Sequence, residues 1–128
     1  MFDFEQLSVY QKALALNKKV FAFLKIHKNI DFFLQNQFKR ASTSVVLNIA
    51  EGVGRFTKLD RRRFYIIGRG SSFEVIAILQ IISNQYEVDK KTYQSIRLDI
   101  EEISKMLFGL IKKSEIKNPL ETRTCTRI

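Results

Sequence analysis

A chain of 128 residues holds one ordinary core and not two, and its 45% apolar residues, 11 of them Phe, are enough to build it. Only 5 Gly and 1 Pro are present, too few for the many turns of sheets and sandwiches, which points to an all-α class with long helices. The net charge of +9 favours a polyanionic partner, nucleic acid or an acidic protein surface, over a merely solvated face, and the single cysteine, Cys125, excludes an internal disulfide framework and suits a reducing compartment.

The opening MFDFEQLSVYQKALAL carries acidic residues where an export signal needs a basic leader, so a cytoplasmic location is expected. The first helix is predicted over Gln6–Lys28. Leu7, Tyr10, Leu14, Phe21 and Leu24 recur at helical steps on it, with Asn17 interrupting the stripe. A break at Asn29–Asp31 follows, with Asp31 as the N-cap of a second helix, Phe32–Val53. Gly52 and Gly54 stop that helix, the usual place for a left-handed cap.

The third helix is predicted over Lys58–Tyr86. Its Gly68 and Gly70 each cost about 1 kcal/mol relative to alanine, which makes sense where another helix packs closely on the backbone. Within it Val75–Ile82 is apolar at seven positions of eight. That run is far short of the ~20 residues of a membrane helix, so no membrane association is expected. It is nevertheless more apolar than one stripe of a bundle requires, and a homo-oligomer is expected to cover the excess. After a turn at Glu87–Lys91, with Asp89 as cap, a fourth helix runs over Lys90–Lys113. Its seam of Tyr93, Ile96, Ile100, Ile103, Leu107 and Leu110 repeats at 3-4-3-4-3 spacing. Short connections imply an up-down-up-down antiparallel four-helix bundle over residues 1–116, with 117–128 as a short polar tail expected to be mobile.

Charge is uneven along the chain. Residues 1–64 carry 12 basic and 5 acidic side chains, and the densest stretch, Lys39–Arg69, holds eight basic residues against Glu51 and Asp60. Two constellations lie there. Arg40, Ser44, Asn48, Glu51 and Arg55 form one polar stripe on the second helix, which Arg69, Ser72 and Glu74 of the third can answer. The stripe reads as a binding groove or as a network fixing helix register. Buried ions left unpaired cost several kcal/mol, which favours the network. The second constellation, Arg55-Phe56-Thr57-Lys58-Leu59-Asp60-Arg61-Arg62-Arg63-Phe64, opens the third helix. With Lys39, the cations Arg55, Lys58, Arg61, Arg62 and Arg63 are candidate phosphate contacts, and Phe56 and Tyr65 candidate stacking surfaces for unpaired bases. The alternative there is a solvated helix start with Phe56 and Phe64 in the core.

Catalytic patterns are missing. The lone His27 sits in a basic context at a helix end, and no Glu-x-x-His pair of a di-iron bundle occurs. Gly68-Arg69-Gly70-Ser71 resembles a phosphate loop only in its glycines, without the Lys-Ser/Thr ending or the preceding strand. No catalytic residue, metal site or cofactor is therefore expected.

The stretch Gln37–Arg55, with Asn48-Ile49-Ala50-Glu51-Gly52, together with Arg69-Gly70-Ser71-Ser72-Phe73-Glu74 and the opening Leu7-Ser8-Val9-Tyr10-Gln11-Lys12-Ala13, resembles the 23S rRNA-intervening-sequence proteins. The likeness spans about residues 4–85 and is loose in the fourth helix. Gly68 stands where the family pattern has a small residue such as Ala, and the proline usual near the first turn is lacking. The resemblance implies a four-helix bundle that assembles as a ring, commonly a pentamer, with no enzymatic activity and a link to RNA. Related bundles are accessory factors of retroelements that bind a reverse transcriptase. The expectation is a non-catalytic RNA-associated bundle, the rival being a scaffold whose basic surface docks a protein such as a reverse transcriptase.

Overall fold

The computed structural model describes residues 2–115, and every regular element among them is helical. A 3₁₀ turn, Asp3–Gln6, precedes four α-helices: α1 Ser8–Ile26, α2 Phe32–Val53, α3 Lys58–Gln85 and α4 Lys90–Lys113. Helix α1 packs on α2 and α4, and α3 closes the square against the same two. Side-chain pairs give the direction of each helix. Asn17 meets Ser42 and Thr43 while Phe23 meets Phe38; Arg40 meets Glu74 while Ser44 meets Ser71; Lys12 meets Glu102 while Lys19 meets Asp99. All neighbours are therefore antiparallel, the up-down-up-down bundle that composition and spacing predict. The tail from 117 and Cys125 lie outside the described residues.

The helix starts follow from their caps. The Asp31 carboxylate accepts the Phe33 and Leu34 N–H groups at 3.0 and 3.3 Å, Thr57 Oγ1 accepts that of Asp60 at 3.1 Å, and Asp89 accepts that of Thr92 at 3.1 Å. Each such cap stabilises its helix by about 1 kcal/mol. The α1 boundary is tighter than the sequence suggests, because Leu7 is extended at φ −73°, ψ 127° and separates the 3₁₀ turn from the helix.

The end of α2 corrects an expectation. No residue described has a positive φ, and Gly54 sits in the right-handed region at φ −77°, ψ −6°. The helix end closes in the right-handed region through the backbone, the Gly54 N–H reaching the Ala50 carbonyl at 3.3 Å and the Arg55 N–H the Gly52 carbonyl at 3.2 Å, and beyond it the Arg61 guanidinium reaches back from α3. It donates to the Arg55 and Phe56 carbonyls at 2.8 and 3.0 Å, so a side chain satisfies the turn. Gly52 is required for another reason: a Cβ there would lie 2.7 Å from Tyr65 Cε1 and 3.3 Å from the Arg61 carbonyl. The two glycines of α3 differ as well. Gly68 is buried, where a Cβ would lie 3.4 Å from Asn48 Cβ on α2, whereas Gly70 is exposed with open space around it.

The core face of α1 is Val9, Ala13, Leu16, Val20, Phe23 and Leu24. Leu14 and Phe21 of the predicted stripe stand exposed. Leu24 of that stripe is in the core, but the smaller Ala13 and Val20, one position before Leu14 and Phe21, take the buried places there. In α4 the predicted seam is the buried one, with Ile96, Ile100, Ile103 and Leu107 inside and Tyr93 and Leu110 half-buried. Helix α3 buries Val75, Ile78, Leu79 and Ile82. By length and composition α3 also passes for a membrane-crossing helix, a property that the eight-residue run alone understates, but 39% of its most apolar window is packed inside the bundle.

Gly52→Ala is expected to destabilise by about 1–3 kcal/mol, because the buried Tyr65 ring cannot retreat. Gly109→Ala, at an open position on α4, is expected to stabilise by about 0.5–1 kcal/mol. Urea unfolding of both variants followed by circular dichroism checks the contrast.

Candidate nucleic-acid interface

The polar stripe of α2 reaches α3 at two points. Arg40 pairs with Glu74 at 2.6 Å, and the Ser44 and Ser71 hydroxyls share a hydrogen bond at 2.8 Å. Asn48 stays on its own helix, donating to the Ser44 carbonyl and hydroxyl at 2.8 and 3.0 Å, and Arg55 pairs with Glu51 one turn away at 3.0 Å. Arg69 and Ser72 do not join this row. Ser72 donates to the Arg69 carbonyl at 2.6 Å, while Arg69 turns toward α4, bonding the Ser104 carbonyl at 3.3 Å between the rings of Phe73 and Phe108. The partner that α3 supplies is Ser71, one residue from the predicted Ser72, and the paired serines in the sequence were the available signal. Arg40 and Glu74 are 55% and 45% exposed, so their pair adds at most about 1 kcal/mol.

The second constellation occupies one pole of the bundle, where α2 ends and α3 begins. Its cations divide by what they touch. Arg55 lies over the Phe64 ring at 4.6 Å and on Glu51, and Arg61 holds the turn carbonyls. Lys58 and Arg63 are exposed and have no carboxylate partner among the described residues. Arg62 is half-buried, and its Nε is buried without a hydrogen-bond partner. Lys39 does not belong to the group: it lies 16 residues earlier on α2, about 24 Å along the helix, above the Phe21 ring. The two aromatic candidates separate completely. Tyr65 is 5% exposed and packed over Gly52, while Phe56 is 99% exposed at the tip of the turn.

A groove of about 780 Å³ opens beside Phe56. Leu47 and Ala50 of α2 line it, with Gly54, Arg55 and Thr57 of the turn and Phe4 of the 3₁₀ turn, and Glu51 and Asp60 contribute carboxylates. Phe4 is itself held by edge contact with Tyr10 at 4.8 Å. No pattern in the sequence joined Phe4 to Phe56, since only the antiparallel packing brings residues 4 and 56 to one pole. Burial pushes the Tyr65 hydroxyl above its ordinary value of 10.0, and the positive charge of Arg61 pulls more weakly the other way. Among the described residues no group of His, Cys, Asp and Glu is placed to hold a metal ion.

The family described as 23S rRNA-intervening sequence protein matches residues 5–109. A solved structure from Bacteroides thetaiotaomicron, a protein of unknown function from the S23 ribosomal protein family, is similar at 24% identity with a TM-score of 0.76. The likeness covers 81% of this chain and 98% of that one, and at this identity it speaks for the fold. No curated protein matches the sequence.

Because the folded Tyr65 titrates above the unfolded value, the stability held by its neutral hydroxyl is complete below pH 10 and is lost as pH rises through the folded value. Urea midpoints measured below and above pH 10 are expected to fall more for the wild type than for Tyr65→Phe. Equal falls would mean that other groups carry the alkaline sensitivity.

Proposed function

Since the chain belongs to the family of 23S rRNA-intervening sequence proteins, we propose that it is a non-catalytic, oligomeric bundle that binds structured RNA through the basic pole at the start of α3. The observation that carries this reading is the placement of Lys58, Arg62 and Arg63. They lie within the first two turns of a 28-residue helix without a carboxylate partner. The helix dipole is positive there, so each cation costs about 0.3–1 kcal/mol where an acidic residue would stabilise. A buried guanidinium N–H without an acceptor adds a penalty of about 1–3 kcal/mol at Arg62. Phosphate oxygens suit the dipole and accept from the exposed head groups of Lys58 and Arg63.

Oligomerisation is supported by α3. Ile66, Gly70, Phe73, Ala77 and Ile81 follow one another at helical steps and are all exposed, with Ile66 at 45%, Phe73 at 51% and Ile81 at 44%. A soluble bundle rarely leaves so long an apolar row uncovered. A second copy is the natural cover, in a ring whose expected size is five. Repetition round a ring gathers the basic poles into one surface, so weak phosphate contacts act together. A protein partner such as a reverse transcriptase remains the second reading. It is supported by a groove of about 340 Å³ between α3 and α4, where Phe73, Ile76 and Ile100 lie beside Arg97 and Lys105.

Fluorescence anisotropy with a labelled structured RNA is expected to give micromolar or tighter binding that weakens steeply with salt. Combining Lys58→Gln, Arg62→Gln and Arg63→Gln should lower the log–log salt slope by roughly 2–3 per chain engaged. Failure to bind even at about 50 mM salt would turn the search to protein partners. Separately, Ile66→Glu with Ile81→Glu is expected to leave the helical spectrum intact and to reduce the sedimenting species to the 15.0 kDa chain. A wild type that already sediments at that mass would remove the oligomeric part of the reading.

A further inference from the structure

Phe56 is an anomaly for a structural account. A phenyl ring that is 99% exposed contributes nothing to the core, yet the backbone beneath it is fixed. Arg61 holds the Phe56 carbonyl at 3.0 Å and the Arg55 carbonyl at 2.8 Å, and Thr57 caps α3 in the next residue. The ring is therefore displayed from a braced turn, beside the groove that Phe4, Leu47 and Ala50 line.

The groove's charge decides what it can take. Glu51 is committed to Arg55, and Asp60 lines the groove with no partner for its carboxylate among the described residues. Two carboxylates face one cation in the lining, and that cation, Arg55, is already held by Glu51, so a phosphate is disfavoured there. A nucleobase presents the opposite chemistry: its flat face stacks on a phenyl ring, and its edge carries N–H donors that a carboxylate accepts. Phosphates on either side of such a base have cations available on the same helix start, Lys58, Arg62 and Arg63. Bases inside a duplex hide their faces in the stack, so only unpaired nucleotides satisfy both halves of the site.

We propose that this groove takes an unpaired nucleobase of an RNA strand, stacked on Phe56, with its flanking phosphates on Lys58, Arg62 and Arg63. The inference rests on the RNA-binding reading above and narrows it: the contacted part of a structured RNA is a loop, bulge or end. Phe4 and Asp60 line the same groove and shape it around the base.

The test uses the full chain and a short labelled RNA strand of mixed sequence, alone and annealed to its complement, with anisotropy read at several salt concentrations. The single strand is expected to bind more tightly than the duplex. Phe56→Ala is expected to weaken strand binding roughly tenfold, with the salt slope and duplex binding unchanged, and Phe56→Trp to restore it. The exposed position makes both variants safe for folding, which circular dichroism verifies. If Phe56→Ala binds the strand as well as wild type while salt-sensitive binding persists, the stacking proposal is overturned and the phosphate reading stands. Equal losses on strand and duplex also overturn it. If the wild type binds neither, the parent reading falls and the proposal falls with it.

Discussion

The close approach of α2 and α3 governs the rest of the molecule. At Gly52 the Tyr65 ring lies where a Cβ would be, and at Gly68 a Cβ would just touch Asn48 Cβ at 3.4 Å. Two contacts, one turn apart on each helix (Asn48 and Gly52 on α2, Tyr65 and Gly68 on α3), define a line and hence a register. Along that line the Ser44 and Ser71 hydroxyls meet, and Arg40 finds Glu74. These polar contacts add little stability of their own in partly exposed positions. Their role is to reject neighbouring registers, in which a hydroxyl would be buried without its partner. The turn at residues 54–57 inherits its position from this alignment, and with it the basic pole.

How far the sequence disclosed this arrangement depends on the kind of signal involved. Strong local signals were sufficient: α4 declares itself through a strict apolar repeat, and Asp31 and Asp89 mark helix starts that the structure uses. Where side-chain size misleads, the reading slipped. In α1 the core runs through Ala13 and Val20, so a stripe drawn through Leu14 and Phe21 pointed at solvent. Glycine was ambiguous for a similar reason. Its absence of a side chain can serve a left-handed turn, a close helix contact or neither; Gly52 serves the second, while Gly54 is right-handed and Gly70 has open space around it. The groove was least legible of all. Phe4 and Phe56 are brought to one pole by tertiary packing, and no local pattern encodes a distance between them.

The pole also illustrates a conflict between stability and placement of charge. A helix start is the natural position for acids, and α3 does have Asp60 in its first turn. The cations beside it run against that preference, while cations elsewhere find carboxylates, Arg97 pairing with Glu101 one turn further along α4 and Lys12 with Glu102 across from it. Violations of local rules concentrated in one place are what a site under functional constraint looks like. The exposed row on α3 is a second such place, apolar where a solvent-facing helix would be polar.

Bracing the α2–α3 turn with a side chain has a kinetic consequence. Arg61 reaches carbonyls only five and six residues behind it, and it points back at them only once the first turn of α3 has wound. Loops of this length close in roughly 10–100 ns, far faster than distant segments meet. Turn and helix start are thus a single cooperative unit, in which neither is complete without the other. The pole that carries the basic residues is thereby held by contacts of short sequence separation, which form without waiting for the distant ends of the bundle to meet.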